Sequence, residues 1–259
     1  MEIPTTSQIE TDFPYLKNAP IVEAVVDFRA AATTPWDADG LAKALKGRLP
    51  DFPSIKPQRR QLQEFRAEVG QPPKAFVKDL GVLGFVLTSK DQRRIAQFDS
   101  QGASYSRLKP YPKWTVFAKE AVDIWRLYRD LRKPTEVARI GVRYINRIDL
   151  PSDDCNLGAY FRDPPMSPVG FPIPFANFMY QALFAVPDTP YSIRLIRTIQ
   201  PSAPPSIRRP GLIIDLDVFT TRPLPADKGT MERRLAEMRW LKNKVFFATI
   251  TDEAENQFK

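Results

Sequence analysis

The chain reads as an α+β protein of two similar halves, and three observations predict it. Residues 19–29 alternate, with Val22, Ala24, Val26 and Phe28 on one parity and Glu23, Asp27 and Arg29 on the other. That is the period of a strand with one buried face. Residues 139–150 show the same alternation, with Val142, Tyr144 and Ile148 against Arg143, Arg147 and Asp149. Each strand is then followed by a helix or loop, an antiparallel meander and a long helix, an order that packs helices on one sheet face.

Residues 1–18 are expected to be a flexible N-terminal segment, residues 19–135 the first half and 136–259 the second, together one compact unit. After the first strand, Pro35-Trp36-Asp37 reads as a helix start. Leu41, Ala44, Leu45 and Leu49 follow at helical spacing until Pro50 stops the helix. Segments 61–69, 75–87 and 93–98 have strand character, the last two joined by a hairpin turn at 88–92. From Trp114, the residues Phe117, Ala121, Ile124, Trp125 and Tyr128 place one aromatic stripe along a helix ending near Arg132, before Pro134. That stripe is read as core packing, in preference to a base-stacking platform.

In the second half, Leu157 begins a short helical piece and residues 163–174 form a proline-rich surface crossing, unsuited to a central sheet. Segments 177–186, 191–199 and 212–219 read as strands. Thr230 is the expected N-cap of a helix of about 18 residues carrying Leu235, Met238, Leu241 and Val245, with a final turn after Asp252.

Composition removes several chemistries. With no histidine among 259 residues, Ser-His-Asp and Cys-His catalysis, histidine-ligated metals and a histidine pH switch are excluded. The single cysteine, Cys155, rules out an internal disulfide and reads as a loop thiol without a role. Neither a signal-peptide pattern at the N-terminus nor a membrane-spanning apolar run is legible, so a cytoplasmic location and no membrane contact are expected. The formal charge of +8 is uneven: residues 1–135 hold 22 basic against 16 acidic side chains, and residues 136–259 hold 16 against 14. That bias suits an acidic partner or nucleic acid.

Asp215 and Asp217 lie two apart in a strand and share a face, as carboxylates that hold Mg²⁺ or Mn²⁺ in phosphoryl transfer do. The competing reading is an ion-pair ladder. If the two leading strands pair antiparallel, Glu23 is expected opposite Arg147 and Asp27 opposite Arg143. No catalytic residue is assigned, and no cofactor is expected outside the Mg²⁺ or Mn²⁺ of that alternative. Basic pairs recur at Arg59-Arg60, Arg93-Arg94, Arg132-Lys133, Arg208-Arg209 and Arg233-Arg234. Arg93, Arg94, Arg107, Lys109 and Lys113 are the nucleic-acid-binding candidates, with Tyr105, Tyr111 and Trp114 placed among them for stacking. No glycine-rich phosphate loop is present.

The stretches Asn18-Ala19-Pro20-Ile21-Val22-Glu23-Ala24-Val25-Val26-Asp27, Tyr144-Ile145-Asn146-Arg147-Ile148-Asp149, Asp215-Leu216-Asp217-Val218-Phe219 and Lys242-Asn243-Lys244-Val245-Phe246-Phe247, with Ile250-Thr251-Asp252, carry a resemblance. They resemble a sporadically distributed, uncharacterised prokaryotic family of about this length. The resemblance implies a single full-length unit from a prokaryote, and a patchy distribution typical of mobile or defence-linked genes. It assigns no catalytic residue; Lys242, Asn243 and Thr251, its last polar positions, are expected to hold the end of the C-terminal helix.

The leading expectation is therefore a non-enzymatic binding or regulatory protein of a prokaryotic multi-protein system, meeting a protein partner through its sheet face and proline-rich loops. The alternatives are a nucleic-acid binder using the basic pairs and a metal-dependent phosphodiesterase or nucleotidyl-transfer enzyme centred on Asp215 and Asp217.

Overall fold

Strands with one apolar face need a cover, and the two leading strands pair with each other at the middle of a single sheet whose apolar face the helices cover. The computed structural model describes residues 13–66, 74–151, 156–168, 173, 175, 177–200 and 209–259. Expectations on residues 1–12, the end of segment 61–69, Cys155, Arg208 and parts of the proline-rich stretches 163–174 and 201–211 lie outside the described residues.

The first half runs β1 (Ile21–Arg29), α1 (Ala38–Arg48), β2 (Ser54–Arg66), β3 (Lys74–Thr88), β4 (Arg94–Asp99), β5 (Gly102–Leu108) and α2 (Trp114–Arg132). The second runs β6 (Glu136–Val137), β7 (Arg139–Asp149), a 3-10 turn (Leu157–Ala159), β8 (Met179–Ala185), β9 (Tyr191–Gln200), β10 (Gly211–Thr220), β11 (Leu224–Pro225), α3 (Lys228–Thr249) and α4 (Asp252–Asn256). Nine strands form one sheet in the order β2-β3-β4-β5-β1-β7-β10-β9-β8, every neighbouring pair antiparallel. The protein is thus α+β with a large antiparallel sheet. No described helix is long and apolar enough to cross a membrane.

One face of the central strands carries the core. Ala24, Val26 and Phe28 of β1, Ile140, Val142, Tyr144 and Ile148 of β7 and Leu212, Ile214, Leu216 and Val218 of β10 are almost wholly buried. The α2 stripe packs on it as expected: Phe117, Ala121, Ile124, Trp125 and Tyr128 are buried, Trp125 stacks on Phe28 at 5.1 Å, and the Tyr128 hydroxyl donates to the Ala30 carbonyl at 2.9 Å. Each such ring pair adds roughly 0.5–1.5 kcal/mol beyond its area burial.

Three expectations need correction. The strand β5 was not predicted, because Gly-Ala-Ser-Tyr-Ser-Arg-Leu has short polar side chains where alternation would show. Its geometry nevertheless demands Gly102, since a Cβ there would lie 2.0 Å from the Phe28 carbonyl oxygen of the neighbouring strand. The register of β1 on β7 differs by two residues from the expected one: Glu23 faces Ile145 and Asp27 faces Gly141, with a bulge between Ile21 and Glu23. Finally, the long C-terminal helix begins earlier and is capped by Asp227, whose carboxylate accepts from the Thr230 amide at 2.8 Å and from its hydroxyl at 2.6 Å.

Candidate functional site

The sheet face opposite the helices is charged, and at its centre arginines meet aspartates. Arg143 grips Asp215 with two bonds, Nε at 2.8 Å and Nη2 at 2.5 Å. Arg139 bridges Asp217 at 3.0 Å and Asp27 at 3.1 Å, and Arg29 ties Asp27 to Asp99. Burial pushes the Asp217 carboxyl above the usual range, against the opposing pull of Arg139, Arg194 and Arg143. The Asp215 bond is the main cause holding the Arg143 guanidinium above its ordinary value. Asp215 and Asp217 do share a face, but guanidinium groups occupy their oxygens. Among the described residues no three His, Cys, Asp or Glu side chains gather as a metal site would require.

The basic candidates scatter. Arg94 lies 3.5 Å from Asp51 and over the Phe52 ring, and Arg107 approaches Glu120 at 3.7 Å, with Tyr105 donating to the same carboxylate at 2.7 Å. Arg93 is exposed elsewhere. Arg59 pairs with Asp79, Arg132 is drawn onto Pro35 and Trp36, and Arg233 and Arg234 meet Glu237. No continuous phosphate track results from these. Lys109 and Lys113, with Tyr111 and Trp114, go to a different place.

That place is a cleft of about 870 Å³. It lies between residues 13–20, the loop from Lys109 to Trp114, the end of β7 and the C-terminal part of α3. The N-terminal stretch is held across it by the Asn18 amide donating to the Phe258 carbonyl at 2.9 Å and by Phe13 stacked on Phe247 at 5.4 Å. The alternation of β7 turns Tyr144 and Asn146 toward α3, so both form the floor. The Tyr144 and Tyr111 hydroxyls share a 2.8 Å hydrogen bond, and burial raises the pKa of both phenols. Asn146 donates to the Ile214 carbonyl at 3.0 Å.

Lys242 enters this floor from α3. The residue is 7% exposed, and its ammonium sits 4.1 Å from the centre of the Tyr144 ring. Among the described residues no carboxylate accompanies it. Burial, and secondarily the nearby Arg239 charge, push its pKa down from 10.5 to about 7. Arg239 itself lies over the Trp114 ring at 5.5 Å. Asp149 is the carboxylate in the lining, and Arg147 pairs with it. Lys17, Lys109, Lys113, Arg239 and Lys242 therefore face the cleft with no ion pair among the described residues. A buried ammonium beside a ring face, surrounded by further cations, stabilises an incoming anion through charge-assisted hydrogen bonds in a low-dielectric setting.

The expectation for Lys242, Asn243 and Thr251 divides. Thr251 is structural: its hydroxyl donates to the Ala159 carbonyl at 2.5 Å and accepts from the Ala254 amide at 3.1 Å, capping α4. Lys242 and Asn243 line the cleft instead. A signal for Lys242 was present in the sequence, because it continues the spacing of Leu235 and Met238 on the buried stripe of α3, where an apolar residue is the rule.

No protein-family model and no curated protein matches this chain.

Proposed function

We propose that the protein is a non-enzymatic binding protein and that the cleft is where it binds, taking an anionic ligand. The observation that carries this reading is Lys242, a buried ammonium with no carboxylate partner among the described residues, at the floor of a cleft that Lys17, Lys109, Lys113 and Arg239 also line. An uncompensated buried charge is costly, and a chain that keeps one where an apolar residue would pack gains from it only when a counter-charge arrives. The test is thermal unfolding of the full chain at low salt with inorganic phosphate, pyrophosphate or citrate. A saturable rise in Tm that Lys242→Met abolishes is the expected result; no rise with any of the three anions overturns the proposal.

A second reading concerns a partner. Strand β8 ends the sheet and carries Met179, Tyr180, Leu183 and Phe184 exposed, with no charged residue along it. Such an edge is a template for strand addition by another protein. This supports a protein partner for a cytoplasmic component of a prokaryotic multi-protein system, the defence-linked setting that the family resemblance implies. Charged replacements at Met179 and Leu183 should abolish co-purification of such a partner while leaving anion binding intact. Unchanged co-purification would remove β8 from the account.

The repeat of order also enters as a proposal, that the two halves arose by duplication. In support, β1 lies beside the last strand of the β2–β5 meander, β7 lies beside the last strand of the β8–β10 meander, and the two pair antiparallel at the centre. A superposition of the halves that failed to bring α2 onto α3 would overturn it.

A further inference from the structure

Resting on the anion-site reading of the cleft, we propose that its ligand is a nucleotide, with a phosphate group held at Lys242 and the base stacked among the aromatic side chains of the mouth. Charge comes first. Lys17, Lys109, Lys113, Arg239 and Lys242 are all without ion pairs among the described residues, so a single carboxylate would leave most of them unmatched. A phosphate group brings more than one negative charge and several acceptor oxygens to the same place.

The rest of the lining suits a base. Phe13, Tyr111 and Trp114 bring rings to the cleft alongside those cations. Aromatic faces stack on any base, whatever its hydrogen-bonding edge. The Asn243 side chain makes no hydrogen bond to a described residue, which leaves both its donor and its acceptor for a base edge, and Asn146 keeps its side-chain carbonyl oxygen after donating to Ile214. A peptide fits less well. The loops of the rim are rich in proline, at Pro14, Pro20, Pro110 and Pro112, and proline has no amide to pair with an added strand. The volume of about 870 Å³ falls within the roughly 300–1,000 Å³ range of small-molecule sites, with room for a nucleotide.

Tryptophan fluorescence and calorimetry on the full chain at low salt test this, with AMP, ribose 5-phosphate, inorganic pyrophosphate and a short 5′-phosphorylated oligothymidine as probes. AMP is expected to bind at least about tenfold more tightly than ribose 5-phosphate, the increment of one stacked base. Lys242→Met should weaken AMP about tenfold or more, as loss of a buried charge-assisted bond does. The double variant Lys109→Gln, Lys113→Gln, at exposed positions, reads the same loss at the rim if Lys242→Met does not fold. Oligothymidine binding tighter than AMP supports the proposal with a strand end as source, and AMP binding tighter than or equal to oligothymidine supports it with a free nucleotide. Equal affinity for AMP, ribose 5-phosphate and pyrophosphate overturns the nucleotide while leaving the anion site standing. No binding by any probe overturns both.

Discussion

The two faces of β7 carry opposite electrostatic designs. On the open face Arg139 and Arg143 meet Asp27, Asp215 and Asp217 in bonds of 2.5 to 3.1 Å, so both of these arginines have carboxylate partners. On the helix face Tyr144 lies under Lys242, which has none among the described residues. Asp215 and Asp217 on one face and Lys242 on the other are charged and buried, and among the described residues only the two carboxylates have ion-pair partners. The difference teaches where to look for binding: a matched ladder is complete as it stands, whereas an unmatched ammonium in a cleft is completed from outside.

Substitutions of opposite sign should break or sharpen that contrast. The largest effect is expected on the ladder. Arg139→Met leaves Asp217 and Asp27 without their shared partner, and breaking a part-buried charged pair from one side costs about 2–3 kcal/mol, read as a lower urea midpoint. In the cleft, Lys242→Met should do the reverse and raise the stability of the ligand-free protein by about 1–2 kcal/mol, because an apolar side chain replaces an uncompensated charge. A loss of stability there would show that Lys242 is satisfied inside the chain after all.

The pH dependence follows from the same residue. Its amine has a pKa of 10.5 when unfolded and about 7 when folded, so between those values the unfolded chain binds the extra proton. Ligand-free stability is therefore expected to rise as pH increases from 7 toward 10, and that rise should be smaller in Lys242→Met. Anion affinity should move the opposite way, falling above pH 7 as the free ammonium is lost; a pH-independent affinity would detach Lys242 from the ligand. The smallest effect is expected at Thr251, the structural member of the same motif. Thr251→Val should cost about 1 kcal/mol through loss of the α4 cap and leave anion binding unchanged. A drop in affinity would mean that the helix end shapes the cleft.

Much of the fold was legible because the relevant forces are local. The alternation in β1 and β7 and the stripe of α2 are consequences of which side of a strand or helix faces the core, and adjacent residues report it. β5 escaped because its pairing depends on Gly102 lying against β1, which its own short side chains do not announce. The ladder was legible in kind, since arginines and aspartates share parity across the strands, but its partners were not. A bulge near Ile21 and a two-residue difference in register move Asp27 from Arg143 to Arg139 and leave Arg143 to Asp215. The cleft was the least legible of all, because Lys17, Lys113, Tyr144 and Lys242 come from four separate segments.

By itself, the sequence determined that this is an α+β chain without histidine chemistry, with a basic bias, amphipathic strands and an aromatic helix, because composition and periodicity act over a few residues. Tertiary structure alone decided which charges would meet. Strand register assigned carboxylates to Arg139 and Arg143 of the open face, and the packing of α3 on β7 buried Lys242 away from every carboxylate of the described residues. Coulomb energy and desolvation depend on distances across the fold, and those distances exist only once the chain has closed.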